Sequence, residues 1–280
     1  MAVTISLISP GAMGAAVGRR LAEHGATVLT SLAGRSAASA ERARAAGLRD
    51  ASPEQLVAAD LILSIVPPAE AEPLARRLAP TLAAATAKPV YVDCNALSPA
   101  TKRAVAAIVA ATGTTLIDGA IIGGPPQPGG TGPAFYLSGE GRHEPSAVLA
   151  ALGLDVHPIE GPIGAAAALK MAYSGINKGN VALGAAMMLA ASRAGAAGAL
   201  HQELGRSLGP QLARLERSVP DMYPKAYRWV AEMREIAAFA GEDEATAMIF
   251  EGMARLFERL AADVAGDQRE RALLDGFLRG

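Results

Sequence analysis

Cysteine is almost missing. Cys94 stands alone among 280 residues, which excludes an intramolecular disulfide and a cysteine-based zinc site. His24, His143, His157 and His201 are too widely spaced for a ligand pattern such as HExxH, so no metal is expected. Aromatic residues make up 4%, too few for base-stacking platforms. Charged residues are 19%, and 26 Lys+Arg against 27 Asp+Glu leave a net charge of -1. No global field draws nucleic acid or an anionic membrane, and neither is an expected partner. A long apolar run is missing too. The charge-free stretch 119–139 is broken by Gly and Pro and cannot span a bilayer as a helix. The apolar start Val3–Ile8 has no basic residue before it and reads as a strand, not a leader, which leaves the cytoplasm as the expected location. What is abundant is hydrophobic side chain, at 51%: enough for a sizeable core in one large domain or two ordinary ones.

The first half alternates strand and helix signals. Val3–Ile8, Thr27–Leu32, Leu61–Val66, Val90–Asp93 and Thr115–Asp118 read as short buried strands, with Phe135–Leu137 and Val156–Ile159 extending the sheet. Helices are predicted over 12–23, 37–46 and 99–111. This alternation predicts an α/β fold, a doubly wound parallel Rossmann sheet, over residues 1–160. The character changes near Gly161. One long Ala-rich helix is predicted over 162–197, then helices over 202–217, 225–240 and 244–264 and a short C-terminal one. Residues 161–280 therefore read as an all-α domain for substrate cleft and dimerisation. Ile249, Met253, Leu256 and Leu260 form an apolar stripe, read as core or subunit interface.

The turn after the first strand, Ser9-Pro10-Gly11-Ala12-Met13-Gly14, has GxGxxG spacing with Ser9 in the first glycine position. Small residues there permit a tight turn, close approach of backbone to a pyrophosphate and close helix-strand packing, and the helix N-terminus favours phosphate. The turn is a candidate dinucleotide site. After the second strand, an NAD site usually places an acid on the ribose 2'-hydroxyl. Here Arg35 and Ser36 stand instead. A guanidinium fork suits a 2'-phosphate, so NADP is expected ahead of NAD; the alternative is a solvated arginine at a helix start.

The order of these motifs resembles the β-hydroxyacid dehydrogenase superfamily, which includes 6-phosphogluconate and 3-hydroxyisobutyrate dehydrogenases. The Ser9–Gly14 turn is similar to its GLGxMG. Ser64-Ile65-Val66-Pro67 is similar to its post-strand segment beside the adenosine. Asp93–Pro99 with Asn95 is similar to D-x-S-T-x-S-P near the nicotinamide. Asp118–Gly124 is similar to the D-A-P-V-S-G-G substrate loop, and Gly161 through Lys170 to G-x-x-G-x-x-x-x-x-K. The last third, including Arg228–Met233, resembles a branch with a DUF1932-type helical domain. The resemblance implies Lys170 as the catalytic general acid/base. It implies cofactor contacts at Ser9, Pro10, Gly11, Ala12, Met13, Gly14, Arg35, Ser36, Val66, Pro67 and Asn95. Substrate contacts follow at Ile122, Gly123, Gly124, Tyr173, Ser174 and Asn177.

The chain also departs from the pattern. Ser174 stands where Asn is frequent, and Ile122 where a serine would meet the substrate carboxylate. Tyr173 and Asn177 occupy the His and Glu positions of the sugar-phosphate branch, so the missing second acid argues against decarboxylation. Lys170, Ser174 and Asn177 share a helix face, and Tyr173 is a second candidate proton donor. Three functions stay open: an NADP-dependent oxidoreductase on a small hydroxy or oxo acid, an imine reductase, and a non-catalytic dinucleotide sensor. Residues 123–133 read as a loop over the substrate, either mobile or a plain connection. A homodimer is expected through the long helix, with Gly175, Gly179, Gly184 and Ala185 admitting a partner helix and the partner's Trp229 or the partner's Met233 closing the cleft.

Overall fold

Strand β1 (Thr4–Ile8) alternates its side chains between two layers. Ile5 and Leu7 join one core cluster and Ile8 the other. The computed structural model describes residues 2–127, 129–130, 132–241 and 243–280. After β1 come α1 (Ala12–Glu23), β2 (Thr27–Thr30), α2 (Ala37–Ala45), β3 (Arg49–Asp50), α3 (Pro53–Val57) and β4 (Leu61–Ser64). Then follow α4 (Ala71–Ala84), β5 (Val90–Asp93), α5 (Pro99–Ala110), β6 (Leu116–Ile122), β7 (Ala134–Ser138), α6 (His143–Ala151) and β8 (Asp155–Pro158).

The strands form one sheet in the order β3-β2-β1-β4-β5-β6-β7-β8. Leu61, Leu63 and Val92 pack with Ile5 and Leu7, whereas Ile62 and Tyr91 pack with Ile8, so both faces are covered. The chain order reverses between β1 and β4, where an open α/β sheet forms its crevice at the strands' carboxyl ends. Within this mostly parallel sheet β6 and β7 are antiparallel, with Asp118 opposite Ser138 and Ile122 opposite Ala134. A Gly/Pro-rich connection replaces the crossover helix that a parallel pair requires.

The helical part comprises α7 (Ala165–Arg193), α8 (Ala197–Ser207), α9 (Gly209–Met222), α10 (Ala226–Phe239), α11 (Glu244–Ala265) and α12 (Arg269–Leu278). The chain divides into the compact units Met1–Lys170 and Met171–Gly280. The division falls inside α7, ten residues beyond the expected change at Gly161. The long helix stops at Arg193, followed by Gly195 in the left-handed region at φ 73°. The helix expected over 202–217 is two helices, because Gly209-Pro210 opens a new first turn where proline's missing N–H does no harm.

The second unit's core also corrects the reason given for dimerisation. A Cβ at Gly175 would press on Phe250 and touch Ile236, one at Gly179 would touch Met253, and one at Gly184 would press on Leu215. These glycines admit this chain's own α9, α10 and α11, and Ala185 is fully buried beside them. Met233 is 0% exposed, and Trp229 packs edge-on against Phe257 at 5.2 Å between ring centroids. Met233 is therefore core, unable to close another subunit's cleft. In the α11 stripe, Leu260 is buried while Ile249 stays exposed. Among the described residues no helix is long and apolar enough to cross a membrane, and no group of three His, Cys, Asp or Glu is placed to hold a metal ion.

Candidate functional site

The turn between β1 and α1 depends on backbone space. Ser9 adopts φ 77°, the left-handed region that glycine enters without strain, which is why a glycine is expected in its slot. A Cβ at Gly14 would overlap the Ser9 carbonyl oxygen, so only glycine lets α1 start this close to β1. Gly11 is the N-cap of α1 without a side-chain cap, and a Cβ there would meet open space. No acid stands in the first turn, so the uncapped amides and the helix dipole face outward together. That is a cradle for an anion, and a dinucleotide pyrophosphate fits it. Pro10 is held from the far side, its carbonyl accepting from Arg42 Nη1 at 3.3 Å.

A cavity of about 600 Å³ opens from this turn. Ile8, Leu74 and Leu78 supply apolar lining, and Arg35 and Arg77 supply cations. Arg35 lies in the turn between β2 and α2, just after Gly34, and is exposed. Ser36 has another task as N-cap of α2, accepting from Ser39 N at 3.3 Å. Arg77, from α4, went unnoticed in the sequence because an exposed arginine on a helix carries no signal of what it lines.

Val66 and Pro67 follow β4, and Asn95 fixes them. Its Oδ1 accepts from Val66 N at 2.6 Å, its Nδ2 donates to Ser64 Oγ at 2.8 Å, and its own N–H donates to Asp93 Oδ1 at 2.9 Å. Asn95 is 3% exposed, so it shapes the crevice rather than reaching into it.

Beneath β5 and β6 lies a buried charge cluster that the sequence reading missed. Lys102 Nζ donates to Asp93 Oδ1 at 2.7 Å, to the Gly119 carbonyl at 3.1 Å and to the Asp93 carbonyl, and lies 3.4 Å from Asp118 Oδ1. All three side chains are 0% exposed. Asp118 Oδ2 accepts from Gly164 N at 2.9 Å and Ala167 N at 3.1 Å, and Ser138 Oγ accepts from Ala166 N at 3.0 Å. The first amides of α7 are thus satisfied by β6 and β7, with a carboxylate at the positive end of the helix. Lys102 was legible. It shares the i, i+3, i+4, i+7 face of α5 with the buried Val105, Ala106 and Val109.

Lys170 lies one turn beyond these amides and is half-buried. It acts electrostatically on Cys94: burial pushes that thiol up to about 12, while Lys102 and Lys170 pull it down. A thiol so placed is inert. The segment expected as a substrate loop is strand as far as Ile122. Gly123 follows at φ 127° and Gly124 is exposed. Beyond them Gln127 and Gly130 accept from Arg20 Nη2 at 3.3 and 2.6 Å, tying the connection to α1. Pro128 and Thr131 of that loop lie outside the described residues.

In the second unit Tyr173 is 51% exposed. Asn177 accepts from Arg214 of α9, so it is engaged away from Ser174. Ser174 donates to Glu232 of α10, whose other oxygen pairs with Lys178. Glu232 stands 58 residues from Ser174 and no periodicity marks it.

The sequence matches the family described as the NAD binding domain of 6-phosphogluconate dehydrogenase over residues 4–152, and the domain of unknown function DUF1932 over residues 191–260. No curated protein matches it. Among solved structures it is similar to MTH1747, a conserved protein of unknown function described as similar to 3-hydroxyacid dehydrogenases. That likeness has 26% identity, covers 97% of this chain and 99% of that one, and gives a TM-score of 0.78. It is similar in fold to Mycobacterium tuberculosis 3-hydroxyisobutyrate dehydrogenase solved with L-serine, at 21% identity, 99% coverage of both chains and a TM-score of 0.76. An imine reductase variant from Myxococcus stipitatus, solved with NAD+, matches at 22% identity, 99% of this chain and 100% of that one, with a TM-score of 0.63. The fold is that of NAD(P)-dependent dehydrogenases and reductases. With more than half of its length inside the first match, the chain belongs to the family built on the NAD binding domain of 6-phosphogluconate dehydrogenase.

Proposed function

We propose that the protein is an NADP-dependent oxidoreductase that moves a hydride between the nicotinamide and a small hydroxy or oxo acid, with Lys170 as general acid/base. The observation that carries this reading is the uncapped N-terminus of α1 at a turn only Gly14 permits, opening onto a cavity that contains Arg35. The bound nicotinamide supplies or takes the hydride. The chain's residues do the rest. The α1 amides hold the pyrophosphate, Arg35 takes the 2'-phosphate, and Val66 and Pro67 border the adenosine. Lys170 gives a proton to the carbonyl oxygen in reduction and removes it from the alcohol in oxidation. Gly123 and Gly124 offer the substrate backbone without side-chain obstruction. A cytoplasmic place, where the cofactor is recycled, goes with this role. Spectrophotometric assay of NADPH consumption against a panel of oxo acids tests it; no consumption with any of them would count against it.

Cofactor choice has its own test. Arg35→Ala is expected to weaken NADPH binding roughly tenfold to a hundredfold, a charge-assisted contact of about 1.5–3 kcal/mol, and NADH binding far less. Equal weakening of both in fluorescence titrations would remove Arg35 from that role.

We further propose a homodimer through the second unit. Tyr173, Ile176, Leu183 and Met187 are each more than half exposed and recur along one face of α7, an apolar face that packing inside the unit leaves open. A two-fold copy presenting the same stripe would cover it. Light scattering should give twice 28.5 kDa; a particle of monomer mass at micromolar concentration would defeat the proposal.

A further inference from the structure

Helices α7 and α9 meet at Gly184, where a Cβ would press on Leu215. Beside that contact they leave a cavity of about 270 Å³, wholly within the second unit. Asn180 and Val181 line it from α7, and Gln211, Arg214, Leu215 and Ser218 line it from one face of α9. None of the cofactor or proton-transfer residues above belongs to it.

The lining carries one cation and no acid. Arg193, Arg206 and Arg234 of the same unit each pair with a glutamate. Arg214 has no carboxylate partner among the described residues, and its one hydrogen bond runs from Nη2 to Asn177. That bond fixes the guanidinium and leaves Nε and Nη1 to donate elsewhere. Two further features have the same polarity. Leu208, the N-cap of α9, gives no side-chain cap and no acid stands in the first turn, so the positive end of the helix dipole is unmatched beside Gln211. Ser218 Oγ is buried with no hydrogen-bond partner, an exception among buried hydroxyls, and it holds a proton to donate.

A carboxylate is the anion that matches this set. Its two oxygens accept side by side from a guanidinium fork, and its single charge equals that of Arg214. A phosphate group carries roughly 1.5–2 negative charges, more than one guanidinium answers. Val181 and Leu215 offer an apolar wall to a carbon chain. The chain must be short, because pockets for drug-sized ligands start at about 300 Å³.

We propose that the cleft between α7 and α9 binds a short-chain carboxylate, with Arg214 holding its oxygens and its carbons lying on Val181 and Leu215. Arg214 belongs to the DUF1932 segment, so the site gives that segment a ligand of its own. The proposal does not depend on the functional reading above.

The full chain, isotope-labelled for NMR, is titrated with butyrate and separately with butyramide, its uncharged isostere. The side-chain signals of Asn180, Gln211 and Arg214 are followed, so that binding elsewhere on the protein is not mistaken for binding here. Butyrate is expected to shift all three to saturation, with butyramide roughly tenfold or more weaker. Arg214→Gln and Gln211→Glu change exposed positions of α9, and each should weaken butyrate by a similar factor while the rest of the spectrum stays that of the folded protein. Inorganic phosphate should compete poorly. Unmoved signals, equal binding of butyramide, phosphate binding as tight as that of butyrate, or butyrate binding that survives Arg214→Gln would each overturn the proposal.

Discussion

Lys170→Ala is expected to lower turnover roughly 10²–10⁴-fold while NADPH affinity stays close to that of the wild type. The two effects separate because the pyrophosphate cradle is built by β1 and α1, whereas Lys170 stands on α7 just after the amides that Asp118 secures. Loss of a proton donor removes an interaction made in the transition state and leaves cofactor binding alone. Lys170→Arg separates proton transfer from plain charge. A guanidinium keeps the positive charge but does not give up its proton at neutral pH, so the arginine variant should be nearly as slow as the alanine one. Recovery of activity in the arginine variant would mean that charge alone suffices. Wild-type turnover in Lys170→Ala would move the proton to another group, and the exposed Tyr173 is the next residue to replace.

Lys102→Met is expected to destabilise the first unit by about 3–5 kcal/mol, the magnitude for removing one partner from a buried ion pair. That is a large share of the ~5–15 kcal/mol by which a domain is ordinarily stable. The substitution keeps the length and apolar stem of the side chain. It leaves two fully buried carboxylates, Asp93 and Asp118, facing one another without a cation. Urea unfolding should show the loss as a lower midpoint. Replacing Asp93 and Asp118 by Asn in the same chain should recover a good part of it, since no uncompensated charge is then buried. An unchanged midpoint in Lys102→Met would show that the cluster is not what fixes β5 and β6 together.

Much of the fold was legible because its periodicities are local. The apolar runs at Val3–Ile8, Leu61–Val66 and Val90–Asp93 became β1, β4 and β5 with small changes at their ends. Strand direction is different. Nothing in Phe135-Tyr136-Leu137 says that β7 runs against β6; the missing crossover helix says it, and that shows only once the elements are counted. The division between the compact units leaves no mark in the sequence, because α7 continues through it without a break in composition.

The candidate site divides along the same line. The backbone requirement at Gly14 is readable from spacing, and a Cβ there would overlap the Ser9 carbonyl oxygen, whereas one at Gly11 would meet open space. Side-chain partnerships across many residues are not readable that way. Asn95 and Ser36 fit a cofactor pattern, yet their polar atoms are engaged by Val66, Ser64 and Ser39. Glu232 stands on α10, and only the folded chain brings it to Ser174.

Transfer of label tests the central claim most directly. NADPH deuterated at the transferable position of its nicotinamide is incubated with the protein and an oxo acid, and the product is read by mass spectrometry. One deuterium bonded to the former carbonyl carbon is the result the account predicts. Product without the label, or no reduced product from any oxo acid while NADPH binds, would contradict it.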